Sequence, residues 1–188
     1  MIGLMDHALS FKLKPTLSGE LVDLRPVREA DAAGLAAAEA ETLRLTGTHT
    51  VHSTEALQAW YRSRAEHDDR LDLSIIERAT RTWVGEVVLN DLDAINRSCG
   101  FRVLIAAVAN HGRGFGTEAT RLALSHAFAT VGVHRVELEV YSFNPRARHV
   151  YEKVGFVYEG TKRQALLWDG EWVDADLMSI LASDWQDA

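Results

Sequence analysis

Cysteine occurs once in the 188 residues, at Cys99, so no disulfide can form within the chain. That fits a reducing compartment. Proline occurs three times, and no linker, repeat or low-complexity stretch stands out. No apolar run approaches the ~18 residues of a spanning helix. The first ten residues lack a basic start followed by a long apolar core, which argues against a signal peptide. A cytoplasmic protein with no membrane partner is therefore expected. Positive charge is in deficit, with 20 Lys and Arg against 27 Asp and Glu and a net charge of −7. Phosphate-backbone affinity needs clustered cations, so no nucleic-acid partner is expected. Cationic partners such as amines suit this balance better. What is present is ordinary for a globular protein: 47% hydrophobic and 25% charged residues. The length fits one domain with a sizeable core.

The patterning mixes strands and helices. Residues 1–18 read as an irregular lead-in, and residues 19–188 as a single domain. Residues 20–26 alternate like a strand. An alanine-rich helix is expected over 29–40, followed by a turn-rich patch at 46–50. Ser53 is placed to cap a helix carrying Leu57, Trp60 and Tyr61 on one side. Residues 71–77 and 83–89 read as strands, 90–96 as a loop, and 99–105 as another strand. A helix is expected over 119–129, a strand over 134–142 and a helix over 144–154. Residues 155–160 return to extended structure. Strands at 164–168 and 172–181 flank Asp169-Gly170, a hairpin-turn pair. The class is α/β or α+β with a mixed sheet.

The densest signal is NHGRGFGTEA at residues 110–119, between an expected strand and an expected helix. Glycine at every second position lets the backbone approach a ligand closely. The free N–H groups and helix N-terminus then face an anion, most plausibly a phosphate. A Walker A loop needs a lysine that is missing here. A dinucleotide fingerprint is a nearer mimic, with Glu137 or Glu139 on the next strand. Its spacing, however, is Gly-x-Gly-x-x-Gly. A glycine turn that holds no ligand is the plain alternative.

A second motif follows one strand later, NPRARHVYEKVGF at residues 144–156. Together the two resemble the GNAT superfamily of acyl-coenzyme A N-acyltransferases. LVDLRPVREAD (21–31), EGTKR (159–163), WDGEWVD (168–174) and SDW (183–185) are similar to its RimJ/RimL branch, which acetylates ribosomal-protein N-termini. The resemblance covers roughly residues 19–185. It implies a central, mostly antiparallel mixed sheet of about seven strands flanked by helices. It implies acetyl-CoA as co-substrate, no metal, direct attack by a primary amine in a ternary complex, and a homodimer. The acceptor it points to is a protein N-terminal amine. Aminoglycosides, polyamines and a non-catalytic CoA sensor are the alternatives.

The resemblance also distributes roles. His111, Gly112, Arg113, Gly114, Phe115, Gly116 and Thr117 would hold the pyrophosphate, largely through backbone N–H groups. The family usually has Arg or Gln at position 111, and a neutral histidine holds phosphate less strongly. Backbone N–H groups of Val103, Leu104 and Ile105 would contact the pantetheine and the acetyl oxygen on a splayed strand. Asn144, Arg148 and Tyr151 would complete the cofactor site. Asn144 is a natural N-cap with Pro145 at the first helical position, and it shares a helix face with Tyr151, two turns on. Tyr151 is the candidate general acid, because a phenol of reference pKa about 10 is neutral at pH 7. Glu86, Glu137 and Glu139 are candidate bases. Packing is the plain alternative for Tyr151, and solvent exposure for the Glu137–Glu139 pair.

Other residues read as structural. Glu118 favours the positive end of a helix dipole. Asp91 and Asp93 shape a turn. Cys99 reads as a small buried hydrophobe. His49 and His52 lack a third metal ligand. Trp60, Trp168 and Trp172 either line an acceptor pocket or pack in the core.

Overall fold

A computed structural model describes residues 9–50 and 52–185. Eight strands form one sheet: β1 (Leu17–Ser18), β2 (Val22–Pro26), β3 (Leu71–Glu77), β4 (Trp83–Asp93), β5 (Ser98–Ile105), β6 (Arg135–Tyr141), β7 (Val157–Trp168) and β8 (Glu171–Leu181). Their order across the sheet is β1-β2-β3-β4-β5-β6-β8-β7. Every neighbouring pair is antiparallel except β5 and β6. That parallel pair spans only Ser98–Gly100 against Arg135–Glu137. Beyond it the two strands part.

Alternation along each strand sends one set of side chains to each face. On one face Leu24, Leu73, Val87, Leu89, Phe101, Val136 and Met178 join Phe115, Ala119 and Leu124 of α4 (Phe115–Ser125) and Tyr151 and Val154 of α5 (Pro145–Val154). Burying each large aliphatic chain contributes roughly 1.5–3 kcal/mol, so this face carries most of the stability. The other face receives a smaller cluster, Ala32, Leu57 and Tyr61, from α1 (Ala32–Ala36) and α3 (Thr54–Arg64).

Local signals place several boundaries where the residues suggest. The Ser53 hydroxyl accepts from the Ala56 N–H at 3.2 Å and starts α3. The Asn144 carbonyl oxygen accepts from the Ala147 N–H at 3.1 Å and starts α5. Asp169 and Gly170 have φ of 49° and 85° and join β7 to β8, as a primed hairpin turn requires.

Tertiary contacts override the pattern elsewhere. The helix expected over 29–40 is broken into a 3-10 turn (Glu29–Asp31), α1, and α2 (Ala40–Leu45). Glu39 is extended at the break, and its N–H donates to the Ala106 carbonyl at 3.1 Å instead of continuing a helix. The loop expected over 90–96 is part of β4, because Asn90 pairs with Gly100 and Asp93 with Ser98. The turn itself is shorter, held by the Asp93 carboxylate accepting from the N–H groups of Ile95 and Asn96. The segments expected at 155–160 and 164–168 are one strand with register shifts, in which the Gln164 N–H donates to the Asp174 carboxylate. The helix expected from 119 begins at Phe115 and ends in a wider π turn, His126–Val131. In the lead-in, Phe11 is fully buried in the main core, and Leu17–Ser18 pairs with β2.

Candidate active site

After β5 the chain makes a 3-10 turn, Val108–Asn110, and reaches the glycine segment. Gly112 and Gly114 have φ of 77° and 88°, in the left-handed region. A side chain at Gly114 would also strike Leu21 Cδ1 at 2.9 Å. Gly114 caps α4, so Phe115, Gly116 and Thr117 form that helix's first turn. The first intrahelical donor is the Glu118 N–H, which bonds the Gly114 carbonyl at 3.0 Å. The N–H groups of residues 112–117 have no protein acceptor among the described residues. They sit where a helix N-terminus concentrates positive potential.

Side chains around this turn sort themselves sharply. Arg113 turns away from it: its guanidinium lies 4.5 Å over the Phe115 ring and bonds Glu77 and the Asn110 side chain. That corrects its expected contact with phosphate, because the buried Glu77 carboxylate needs a cation. The Phe115 side chain is itself in the core. His111 Nε2 lies 3.2 Å from the Ile105 carbonyl, tying the turn back to β5. Arg146 was not among the expected site residues. Its guanidinium is the nearest group to a Cβ placed on Gly112, at 3.2 Å, and it makes no hydrogen bond or ion pair among the described residues.

The parting of β5 and β6 opens a cleft of about 940 Å³, lined by Arg102–Ile105, Gly112, Gly114–Thr117, Leu138–Tyr141, Arg146 and Tyr151 among others. This lies within the ~300–1,000 Å³ of a ligand site. The Ala106 N–H donates to the Val84 carbonyl at 3.0 Å. Alternation in an antiparallel ladder then turns the Leu104 N–H to β4 as well, and the Val103 and Ile105 N–H groups to the cleft. Of the three expected backbone donors, Leu104 is thus committed elsewhere. The Ile105 carbonyl agrees, since it faces off β4 to accept from the Thr42 hydroxyl at 3.2 Å.

From α5, Tyr151 projects into the cleft wall. Its ring meets Phe101 edge-on at 6.2 Å and Phe156 at 5.7 Å. Its hydroxyl has no hydrogen-bond partner among the described residues, and burial pushes its pKa up to about 12. Asn144 lines the cleft and is partly committed: one amide N–H donates to the Leu45 carbonyl at 3.1 Å and its oxygen caps α5 at 3.1 Å, which leaves a second N–H for a ligand. Arg148 is corrected, for it bonds Glu152 and Asp176 and lies 5.0 Å over the Tyr158 ring, away from the cleft. The helical period explains the exchange. Positions 146, 147, 150 and 151 share a stripe, and 148 faces the other way.

The candidate bases differ. Glu86 is half-buried beneath α3 and accepts the Tyr61 hydroxyl at 2.6 Å. Burial raises its pKa, with the Tyr61 hydrogen bond opposing. It pairs across the sheet with cleft-lining Leu104. Glu137 and Glu139 line the cleft but are exposed and bonded to Arg135 and Lys162. Their oxygens are thus already engaged by cations on the same wall. Glu118 anchors the neighbouring turn, its carboxylate accepting from the N–H groups of Glu20, Leu21 and Val22 at 2.7–2.8 Å. Cys99 is buried, and burial lifts its thiol to about 12. His49 stacks on Trp168 at 4.9 Å. Trp60 lies under the guanidinium of Arg64, and Trp172 is exposed.

The model of the acetyltransferase (GNAT) domain matches residues 22–157. This chain belongs to the GNAT acetyltransferase family. It is 33% identical over 117 residues to a spermidine N(1)-acetyltransferase of Vibrio cholerae, a match covering 62% of this chain and 67% of that protein. A shorter match, 31% over 74 residues, is to the [ribosomal protein uS5]-alanine N-acetyltransferase of Escherichia coli, covering 39% of this chain and 38% of that one. The crystal structure of a spermidine N-acetyltransferase from Vibrio cholerae in complex with CoA and spermine superposes with a TM-score of 0.80. Its identity is 25%, over 88% of this chain and 98% of the other. GNAT enzymes are acyltransferases that use acetyl-CoA.

Proposed function

We propose that this GNAT enzyme transfers the acetyl group of acetyl-CoA to a primary amine, with residues 112–117 and Arg146 on the diphosphate. The single observation that carries this is the row of unbonded N–H groups opening into the β5–β6 cleft. Pantetheine would run along β5, its acetyl oxygen within reach of the Val103 and Ile105 N–H groups. The amine nitrogen attacks the thioester carbon, the C–S bond breaks, and CoA leaves as thiolate. Moving a proton from a phenol of pKa about 12 to a thiolate is uphill by roughly 5 kcal/mol. Tyr151 therefore stabilises the departing thiolate as a hydrogen-bond donor, and solvent supplies the proton. Glu86, whose pKa burial raises, drains the amine proton through water. Asn144 serves by positioning α5.

The acceptor we favour is an α-amine, as at a protein or peptide N-terminus. Its reference pKa near 8 leaves a useful neutral fraction without a strong base. Cleft carboxylates Glu137, Glu139 and Glu159 already hold Arg135 and Lys162, leaving less free negative charge for a polycation. A polyamine is the second reading, favoured by the spermidine acetyltransferase relatives. Membership of the RimJ/RimL branch and a homodimer accompany the first reading.

Calorimetry with CoA and acetyl-CoA tests the cofactor site, and thiol release with a panel of amines tests the transfer. Binding that Arg146→Ala weakens, together with turnover on any amine, is the expected result. A folded protein that ignores both forms of CoA at millimolar concentration ends the proposal. Binding without turnover on any amine leaves only a CoA sensor.

A further inference from the structure

Besides Arg146 near the glycine turn, a second arginine of the cleft has no anion among the described residues. Arg102 lies on β5 opposite Val88, two residues beyond Gly100, where pairing with β6 stops. Its side chain leaves the sheet on the α1–α3 face, the face that also carries Glu86 and Asn90 on β4 and Glu137 on β6. It is exposed, lines the cleft, and makes no hydrogen bond or ion pair among the described residues. Arg135 and Lys162 on the opposite wall are consumed by Glu137, Glu159 and Glu139. Asp91 lies beside Asn90 and accepts its amide.

A second group in the same wall is also unpaired. The Asn90 side-chain oxygen is buried without a hydrogen-bond partner. It lies 3.2 Å from a Cβ placed on Gly100, the residue before Phe101 and Arg102. The Asn90 side chain packs over the bare Gly100, and both residues line the cleft beside Arg102. Glu86 and Tyr151, the groups flanking the reaction, both feel the Arg102 charge. Arg102 therefore stands at the acceptor end of the cleft, three residues along β5 from Ile105 and remote from the phosphate turn.

We propose that Arg102 is a specificity-determining residue that binds an oxyanion, carboxylate or phosphate, carried by the acceptor near its amine. The guanidinium fork matches such a group with two parallel hydrogen bonds. Resting on the acetyl-transfer reading above, this narrows the substrate class to amines that bear an acidic group. A simple polycation would meet repulsion from Arg102.

The test uses matched acceptors with the full chain: a peptide with Asp at its second position against the same peptide with Asn, and O-phosphoserine against serine. Spermidine is included as a polycation. We expect kcat/KM for each favoured acid to exceed that of its neutral partner by about tenfold. In Arg102→Gln the ratio falls to near one, mainly through KM, and Arg102→Lys restores part of it. The carboxylate and phosphate pairs tell which oxyanion is recognised. Equal rates for acid and neutral partners, or an acid preference untouched by Arg102→Gln, overturn the proposal while acetyl transfer stands. Spermidine outperforming every acid overturns it in favour of a polyamine. Normal CoA binding with no turnover on any amine overturns the transfer reading, and this proposal with it.

Discussion

The space beneath α3 and the β5–β6 cleft lie on the same sheet and treat polar groups in opposite ways. Under α3 the carboxylates of Asp31, Asp72 and Glu86 are satisfied internally. The Asp31 carboxylate accepts from Arg25 at 2.7 and 2.8 Å, from the Ser74 hydroxyl at 2.7 Å and from the Arg28 N–H at 2.8 Å. Asp72 holds Arg70, and Glu86 holds Tyr61. In the cleft the N–H groups of residues 112–117, the Tyr151 hydroxyl and the Arg102 and Arg146 guanidiniums have no protein partner among the described residues. Buried polar groups are ordinarily paired, and leaving them bare is costly. A region that leaves its donors unspent is built for a ligand. A region that spends them all is scaffold.

This contrast can be broken by substitution. The largest effect is expected on the scaffold side. Asp31→Ala strands the Arg25 charge and should lower unfolding free energy by about 3 kcal/mol, read from urea denaturation. A loss within experimental error would mean that the network contributes nothing to stability. On the cleft side, Tyr151→Phe should lower kcat by about 100-fold and leave acetyl-CoA affinity little changed. Undiminished turnover removes the hydroxyl from the reaction. Arg146→Ala should raise the CoA dissociation constant about tenfold, whereas Arg148→Ala, whose guanidinium is spent on Glu152 and Asp176, should leave it within about twofold. Calorimetry that ranks the two variants the other way would reverse the assignment.

The smallest effect sharpens the boundary between the regions, where Glu86 sits. Its folded-state pKa is raised, so the fold favours the neutral form. That contribution to stability is full below the unfolded value of about 4.3 and is lost as pH rises through the folded value. Glu86→Gln resembles the neutral form and still accepts from Tyr61. Its stability relative to the parent should therefore grow as pH rises above about 4.3, in urea midpoints from pH 4 to 8. A difference that stays flat across that range would show that the Glu86 charge costs the fold nothing.

Much of the site was legible in the residues. The glycine turn, the Asn144-Pro145 helix start and the Asp169-Gly170 hairpin each depend on a few adjacent side chains and their allowed φ values. The errors share a different cause. Arg113 was expected on phosphate, but Glu77, brought next to it from β3, claims it. Arg148 is expected in the cofactor site, but it bonds Glu152 and Asp176 and faces away from the cleft. An alanine run promised one helix and broke where the Glu39 N–H met the Ala106 carbonyl. In each case a partner distant in sequence outbid the local preference.

By itself the sequence determined the glycine turn, because glycine at 112 and 114 permits φ values that other residues resist. It likewise determined where α5 begins, since cap and proline act within one turn of helix. Only the tertiary structure decided that β5 and β6 separate after Gly100 and Glu137, which arginine reaches the turn, and which backbone donors face the gap. Strand pairing and ion pairing join residues tens of positions apart, and no local propensity encodes which of several available charges will be neighbours.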